Sequence, residues 1–388
     1  MKKILFVTTR NPYSNKHSGD RLRATSIINH LSNKNDIEVV YLDKHKNIKK
    51  EFKNKGKIEL TPFHNNLLTK IFFIFLSFFK LEPLQNGFFY SSQMKKYINL
   101  NQNKYKTIIC HLIRSAQYLP KNFKGKKILE MTDVYSYNYS QTLKNISFFN
   151  PLYIIYLIEY FFVKKYENKI NIKFNKIVIV SKRDLAGQGL KKNNKKFVVI
   201  PNGCSINQKK YKFKKNNKNI LFIGNLKYLP NIQACFYFVK KILPKIKTIY
   251  PEINFLIIGE ISHKNKIILN SYKNVKALGE KIKLEKYINK SICGIANLNI
   301  ATGFQNKILT YMSYGLPVIS NSLSFSGIRY LKKNLHIFSY SSTYQFIQKF
   351  KILKNNKNIA NKISISAYKI IKKKFSWNKT LSNYLKII

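Results

Sequence analysis

Acidic residues are what this chain has least of. Asp and Glu number 16 against 71 Lys and Arg, a formal charge of +55. Arginine is scarce too: six of the 71 (Arg10, Arg21, Arg23, Arg114, Arg183, Arg329), the rest being lysine. Lys, Asn and Ile are all abundant and share A/T-rich codons, so genome composition accounts for the excess. Proteins that read bases or clamp phosphates favour the guanidinium fork. With no nucleic-acid motif in the chain, no nucleic-acid partner is expected. The charge still attracts diphosphates and anionic lipid headgroups, by about 1 kcal/mol per lysine beside an anionic leaflet.

Other absences narrow the chemistry. The four cysteines (Cys110, Cys204, Cys235, Cys293) lie far apart with no C-x-x-C spacing, which reads as reduced, buried thiols in a cytosolic protein. There is no G-x-x-x-x-G-K-[ST] loop, no G-x-G-x-x-G fingerprint and no D-x-D pair, and no His/Cys cluster has metal spacing. No metal and no cofactor is expected. The apolar run of the N-terminus, "ILFV", is too short for a signal-peptide core and reads as a buried first strand. Long apolar runs are missing as well. "IFFIFLSFF" (71–79) is less than half a membrane span, and "FFNPLYIIYLIEYFFV" (148–163) is broken by Asn150, Pro151 and Glu159. Both read as helices that are partly buried or that touch a membrane surface, flanked by Lys70, Lys80, Lys164 and Lys165. The expected location is cytoplasmic, peripheral on the inner face of the cell membrane.

What is present is an alternation of short apolar strands with helices, the mark of parallel α/β layers. In the first half the strands fall at Ile4–Thr8, Ile37–Leu42, Thr107–His111, Lys127–Met131 and Lys176–Val180. The helices fall at about 20–33, 67–80, 91–100, 150–173 and 182–190. "PNG" (201–203) is a turn, after which the rhythm restarts. Strands read at 219–226, 253–260, 275–280 and 292–298, helices at 231–251 and 359–373, and Trp377 as a packing anchor.

Several junctions carry candidate chemistry. In "TGFQNKILTYMSYGLPVIS" (302–320) a strand end runs into a helix and then another strand. Gly303 lets backbone amides approach a ligand, the helix N-terminus favours an anion, and Lys307 in its first turn can reach a diphosphate as a point charge. At the first βα junction Gly19 precedes a helix and can face a diphosphate, with Arg21 and Arg23 beside it. The other reading is a surface loop with Asp20 capping the helix. His111, Arg114 and Asp133 follow strands, at the edge of a parallel sheet where an acceptor can bind; satisfied structural polar groups are the alternative. Glu159 and Glu167 lie on one helix face and read as partners for lysines, not as a glycosidase pair.

The ordered set of the Gly19 loop, "PNG", "FIGNLKYLPN" (222–231) and the block 298–327 resembles retaining GT-B glycosyltransferases of family 4, in the branch that builds exopolysaccharides. The resemblance implies an α/β fold of two Rossmann-like domains whose parallel sheets face across a cleft. Residues 1–200 would form the acceptor domain and 201–373 the donor domain, with the final helix crossing back so that 374–388 pack on the first. It implies transfer of a sugar, with retention, from a nucleotide-sugar donor to a glycan or lipid-linked acceptor. Lys227 and Lys307 would stabilise the leaving diphosphate. Gly224, Asn225, Gly303, Phe304, Gln305, Asn306 and Thr310 would line the donor. Arg21, His111, Arg114 and Asp133 would face the acceptor. One departure stands out: the family's two glutamates at this site are here Thr302 and Thr310. A catalytically degenerate GT-B-like binding subunit is therefore the alternative.

Overall fold

The computed structural model describes residues 3–14, 18–43, 51–54, 56–183, 195–207, 211–299 and 304–388. The chain divides into two compact units, Met1–Pro201 with Leu381–Ile388, and Asn202–Thr380.

The first unit is built on β1 (Lys3–Val7), α1 (Gly19–Ser32), β2 (Ile37–Asp43), β3 (Glu51–Lys53) and β4 (Ile58–His64). There follow α2 (Leu67–Phe79), α3 (Leu84–Phe88), α4 (Ser92–Asn101), β5 (Tyr105–His111), β6 (Lys126–Thr132), α5 (Tyr135–Leu143), α6 (Leu152–Asn171), β7 (Lys176–Ile179) and β8 (Phe197–Val199). The strand order is β3-β4-β2-β1-β5-β6-β7-β8. All pairs are parallel except β3 with β4. Central strands such as β1 are apolar and buried after their first residue (β1 from Ile4 on) because helices cover both faces of a parallel sheet. Leu5, Val7, Ile108, Cys110, Leu129 and Ile177 form one core with Met94 and Ile98 of α4 and Val163 and Ile170 of α6.

The second unit repeats the plan with β9 (Asn219–Ile223), α7 (Leu229–Tyr237), α8 (Leu243–Lys247), β10 (Asn254–Ile258), α9 (His263–Asn270), β11 (Val275–Ala277), α10 (Glu285–Ile288) and β12 (Ser291–Ala296). It continues with α11 (Asn306–Ser313), β13 (Val318–Asn321), α12 (Ser322–Phe325), β14 (Phe338–Tyr340), α13 (Thr343–Asn355) and α14 (Lys357–Lys374). Its six strands run β11-β10-β9-β12-β13-β14, all parallel. A helix starting at Leu229 rather than 231 is explained by Pro230, whose fixed φ and missing N–H suit a first helical turn. The "PNG" glycine is packed flat: a Cβ on Gly203 would lie 2.8 Å from Trp377, which makes that tryptophan a packing partner. All four cysteines are free and buried.

Two expectations about charge give way here. Arg23 is no ligand group: it is fully buried and bidentate to Glu130 (2.9 and 3.1 Å). It also donates to the Ile200 carbonyl, and Tyr384 donates to the same carboxylate at 2.8 Å. This knot ties the C-terminal residues to the sheet of the first unit. Glu159 and Glu167 are buried, where the expected lysine-paired surface face would be exposed, and each accepts hydrogen bonds from a helix start. Glu159 accepts from the Gln85 amide at the start of α3, and Glu167 accepts from the amide and hydroxyl of Ser136 at the start of α5. Each carboxylate satisfies orphan donors at a helix N-terminus. Burial pushes the Glu159 carboxyl up to about 7.

Candidate functional site

In an open parallel sheet, ligands bind beyond the carboxyl ends of the strands where strand order reverses. In the second unit that point lies between β9 and β12. Beyond β9 the chain turns through Gly224–Lys227 into α7, and beyond β12 it reaches α11. One side chain locks the two together. The Tyr311 ring is fully buried against Gly294, where a Cβ would lie 2.5 Å from it. Its hydroxyl accepts from the Ile223 amide at 2.7 Å and donates to the Ile295 carbonyl. The first turn of α11 is thereby fixed beside the end of β9.

Lys307 sits in that turn, 7% exposed. Its Nζ donates to Asn231 Oδ1 at 2.6 Å and lies 4.2 Å from the centroid of the Phe222 ring. Burial pushes its pKa from the ordinary 10.5 down to about 7. A buried ammonium is unfavourable without an anion beside it, and a bound anion would return the proton. Asn231 in turn donates to the Asn225 carbonyl at 2.8 Å. Asn225 Nδ2 and Lys227 Nζ both reach Glu260 (3.1 and 2.7 Å), and Asn225 Oδ1 accepts the Lys227 amide. The Lys227–Glu260 pair is 57% and 40% exposed. Such a pair contributes little, so Lys227 can exchange it for a ligand. Gly259 makes the loop's geometry possible: its φ is +144°, and a Cβ there would fall 1.8 Å from the Gly224 carbonyl. The Gly279 carbonyl, at the end of the stretch 275–280, accepts from the Gly259 amide.

The remaining donor-side candidates gather at the same helix start. Asn306 Oδ1 accepts from Asn202 of the "PNG" turn at 2.8 Å. Phe304 packs on Phe375 with ring centroids 5.9 Å apart, and Gln305 is the N-cap, with no side-chain bond closing the first turn. Thr310 donates its hydroxyl to the Asn306 carbonyl one turn back, at 3.1 Å, so only its lone pairs remain for a ligand. Thr302 and Gly303 lie outside the described residues. Asn231, Tyr311, Gly259 and Glu260 were not singled out in the sequence. The "PN" after "NLKYL" and the tyrosine one helical turn past Lys307 were the available signals for two of them.

In the first unit the reversal lies between β1 and β5, and the acceptor-side candidates are found around it. His111 ends β5, fully buried, stacked on Phe6 and 3.4 Å from the Thr8 hydroxyl. Its Nε2 has no hydrogen-bond partner among the described residues, and burial holds the imidazole down at about 3, against the pull of Asp20. Arg114 donates to Thr9 Oγ1 at 2.7 Å, covers the Phe89 ring at 4.4 Å, and faces Asp20 at 3.9 Å. Arg10 also bonds Asp20, at 3.1 Å. Burial alone would raise the Asp20 carboxyl, but the Ser18 hydrogen bond, Arg10 and Arg114 together hold it below its ordinary value. Gly19 is exposed at the head of α1, and Arg21 follows in its first turn. Asp133 follows β6; burial lifts its carboxyl to about 6, with Arg23 opposing and Glu130 assisting. Leu112 and Thr132, directly at these strand ends, have φ of +68° and +66°. Left-handed backbone at non-glycine residues is concentrated at functional sites. The structure thus brings His111, Arg114 and Asp20 together at one sheet edge.

Comparison with known proteins fits this picture. Residues 217–352 match the family described as Glycosyl transferases group 1. A protein of Klebsiella pneumoniae, "Uncharacterized 44.6 kDa protein in cps region", is 25% identical over 268 residues, 67% of this chain and 65% of the relative's own length. Among solved structures, Anabaena HepE in complex with UDP and glucose matches at a TM-score of 0.67 and 15% identity, covering 100% of both chains. Sucrose-phosphate synthase of Thermosynechococcus elongatus matches at 0.76 and 10% identity, covering 100% of this chain and 98% of that one. TarM of S. aureus, in complex with Fondaparinux, alpha-GlcNAc-glycerol and UDP, matches at 0.68 and 13% identity, covering 100% and 99%. The fold is that of the GT-B glycosyltransferases, and the second unit carries the sequence pattern of glycosyl transferases group 1.

Proposed function

We propose that this chain is a retaining, metal-independent glycosyltransferase that moves a sugar from a nucleotide-sugar donor to a glycan or lipid-linked acceptor in cell-surface polysaccharide synthesis. The observation that carries the reading is Lys307: a buried ammonium with a depressed pKa, fixed at a helix N-terminus beside the Gly224 loop. As the donor's glycosidic C–O bond breaks, its electron pair passes to the diphosphate oxygen. Lys307, Lys227 and the first amides of α11 stabilise that charge. The acceptor hydroxyl attacks from the same face, and its proton passes to the departing phosphate, so no protein nucleophile is required. His111, Arg114 and Asp133 would orient the acceptor. The relative from a cps region and the UDP-bound structures of HepE and TarM support the setting and the donor class.

The departure at Thr302 and Thr310 favours a second reading, a degenerate subunit that binds glycan or membrane without transferring sugar. Thermal unfolding against UDP, GDP, ADP and CDP, with pyrophosphate as charge control, separates the two. A ligand at 100 times its dissociation constant adds about 2.7 kcal/mol. One nucleotide stabilising well beyond pyrophosphate is the expected result. No selective shift in folded protein would leave the degenerate reading.

A further inference from the structure

The first unit turns an unusual amount of apolar surface to solvent. On α2, Leu68, Ile71, Phe72, Phe75 and Phe79 recur at helical spacing along one face, and Phe72, Phe75 and Phe79 are 62%, 62% and 77% exposed. Ser77 is the one buried residue of that helix. The start of α6 and the turn before it continue the pattern with Phe149, Ile154, Ile155 and Phe161, Phe149 being 93% exposed. The two stretches touch through Phe78 and Phe162, whose ring centroids lie 6.0 Å apart. Contiguous apolar surface of this extent marks an interaction site.

The charges around it select the partner. Lys80, Lys164 and Lys165 border the patch, all exposed, and Lys70 lies over the Phe88 ring at 5.4 Å. The acids nearby are turned away or answered: Glu159 and Glu167 are buried, and Glu82 faces Lys169 at 3.5 Å. A second copy would set lysines against lysines around the same patch. Bare rings and aliphatic chains offer a protein partner little to hydrogen-bond. Among the described residues no helix is long and apolar enough to cross a membrane. Phenylalanines for the acyl boundary with lysines for the headgroups are the composition of an interfacial helix.

We propose that the α2 face and the start of α6 form a docking surface that lies on an anionic lipid bilayer, the phenylalanines entering the headgroup boundary and the lysines pairing with lipid phosphates. This stands apart from the sugar-transfer reading and holds whether or not the chain is catalytic.

The test is flotation of the full chain with vesicles of phosphatidylcholine alone and of phosphatidylcholine with phosphatidylglycerol, at low and high salt. A chain of charge +55 will adhere to acidic vesicles by charge alone, so the deciding variant keeps every lysine: F72S/F75S/F79S. Because these side chains are exposed, the variant should unfold at or above the wild-type temperature. Binding to the acidic vesicles is expected to weaken by roughly tenfold or more, and to resist salt in the wild type only. A second probe is Phe75→Trp in a Trp377→Phe background, whose emission should shift to the blue on acidic vesicles and not on neutral ones. Triple-variant binding equal to wild type, or no blue shift, would overturn the proposal in favour of plain charge adhesion. A wild-type dimer that the triple variant converts to monomer, with vesicle binding unchanged, would overturn it in favour of a second copy.

Discussion

Replacing Lys307 by methionine should make the second unit more stable and abolish its response to nucleotides. Burial lowers this lysine from 10.5 to about 7; at 1.36 kcal/mol per pH unit, holding it in the fold at neutral pH costs about 5 kcal/mol at most. Methionine fills nearly the same volume without the charge. It leaves Asn231 Oδ1 without its 2.6 Å donor, a loss of about 1–3 kcal/mol. A net gain of about 2 kcal/mol remains, or about 4–8 °C for a unit of this size.

The sign of the pH dependence identifies the cause. A lysine whose folded pKa is depressed destabilises the fold fully below about 7 and is relieved as pH rises towards 10.5, because the unfolded chain holds the extra proton across that window. The gap between K307M and wild type should therefore be widest at pH 6–7 and close towards pH 10. Subtracting the two variants removes the contribution of every other lysine. Calorimetry of both proteins across that range, without ligand and then with the best nucleoside diphosphate, is the assay. Ligand should stabilise the wild type with proton uptake above pH 7 and leave K307M unmoved. If K307M melts lower than wild type at pH 7 and still responds selectively to nucleotide, Lys307 is a structural cation and the diphosphate reading fails.

Three further outcomes are expected. Thr310→Glu should tighten nucleoside diphosphate binding by roughly 10-fold or more, since a charged hydrogen bond contributes about 1.5–3 kcal/mol; calorimetric titration showing unchanged or weaker affinity would remove Thr310 from the ribose. Glu130→Ala should cost about 3–5 kcal/mol in chemical denaturation because it strands buried Arg23, whereas Tyr384→Phe, which removes one donor to the same carboxylate, should cost about 1.5–3 kcal/mol. Gly259→Ala forces a Cβ to within 1.8 Å of the Gly224 carbonyl. It should destabilise the second unit by a few kcal/mol and remove the nucleotide-induced thermal shift along with the loop it displaces.

The central strands were legible because a strand covered on both faces leaves a short unbroken apolar run, as in residues 4–7 and 292–296. The fourth strand was not. "IELTPFH" contains Pro62, which argues against a strand. Yet β3 pairs only as far as Leu60, so the proline lies past the paired stretch and no ladder bond is lost on that side. The site was legible where one residue has a local meaning, as with Lys307 in the first turn of a helix. It was hidden where meaning depends on a distant partner. Arg23 read as a ligand because nothing in its neighbourhood announces Glu130, 107 positions on. Glu159 and Glu167 read as partners for lysines because the helix starts they cap lie 74 and 31 positions away.

The two clusters share a logic that their residue types do not. In each sheet the first strand of its unit sits at the point of reversal, β1 beside β5 and β9 beside β12, and the polar groups collect at the carboxyl ends of that pair. In the second unit the partners of a buried lysine among the described residues are Asn231 and an aromatic face, not a carboxylate. The first unit holds the opposite arrangement: Asp20 is already answered by Arg10 and lies near Arg114, and His111 is kept neutral with one nitrogen unpartnered. One cluster is therefore suited to an anion, while the other presents a neutral imidazole beside an ion pair. That is the division of labour required if a diphosphate binds to the second unit and an uncharged hydroxyl binds to the first.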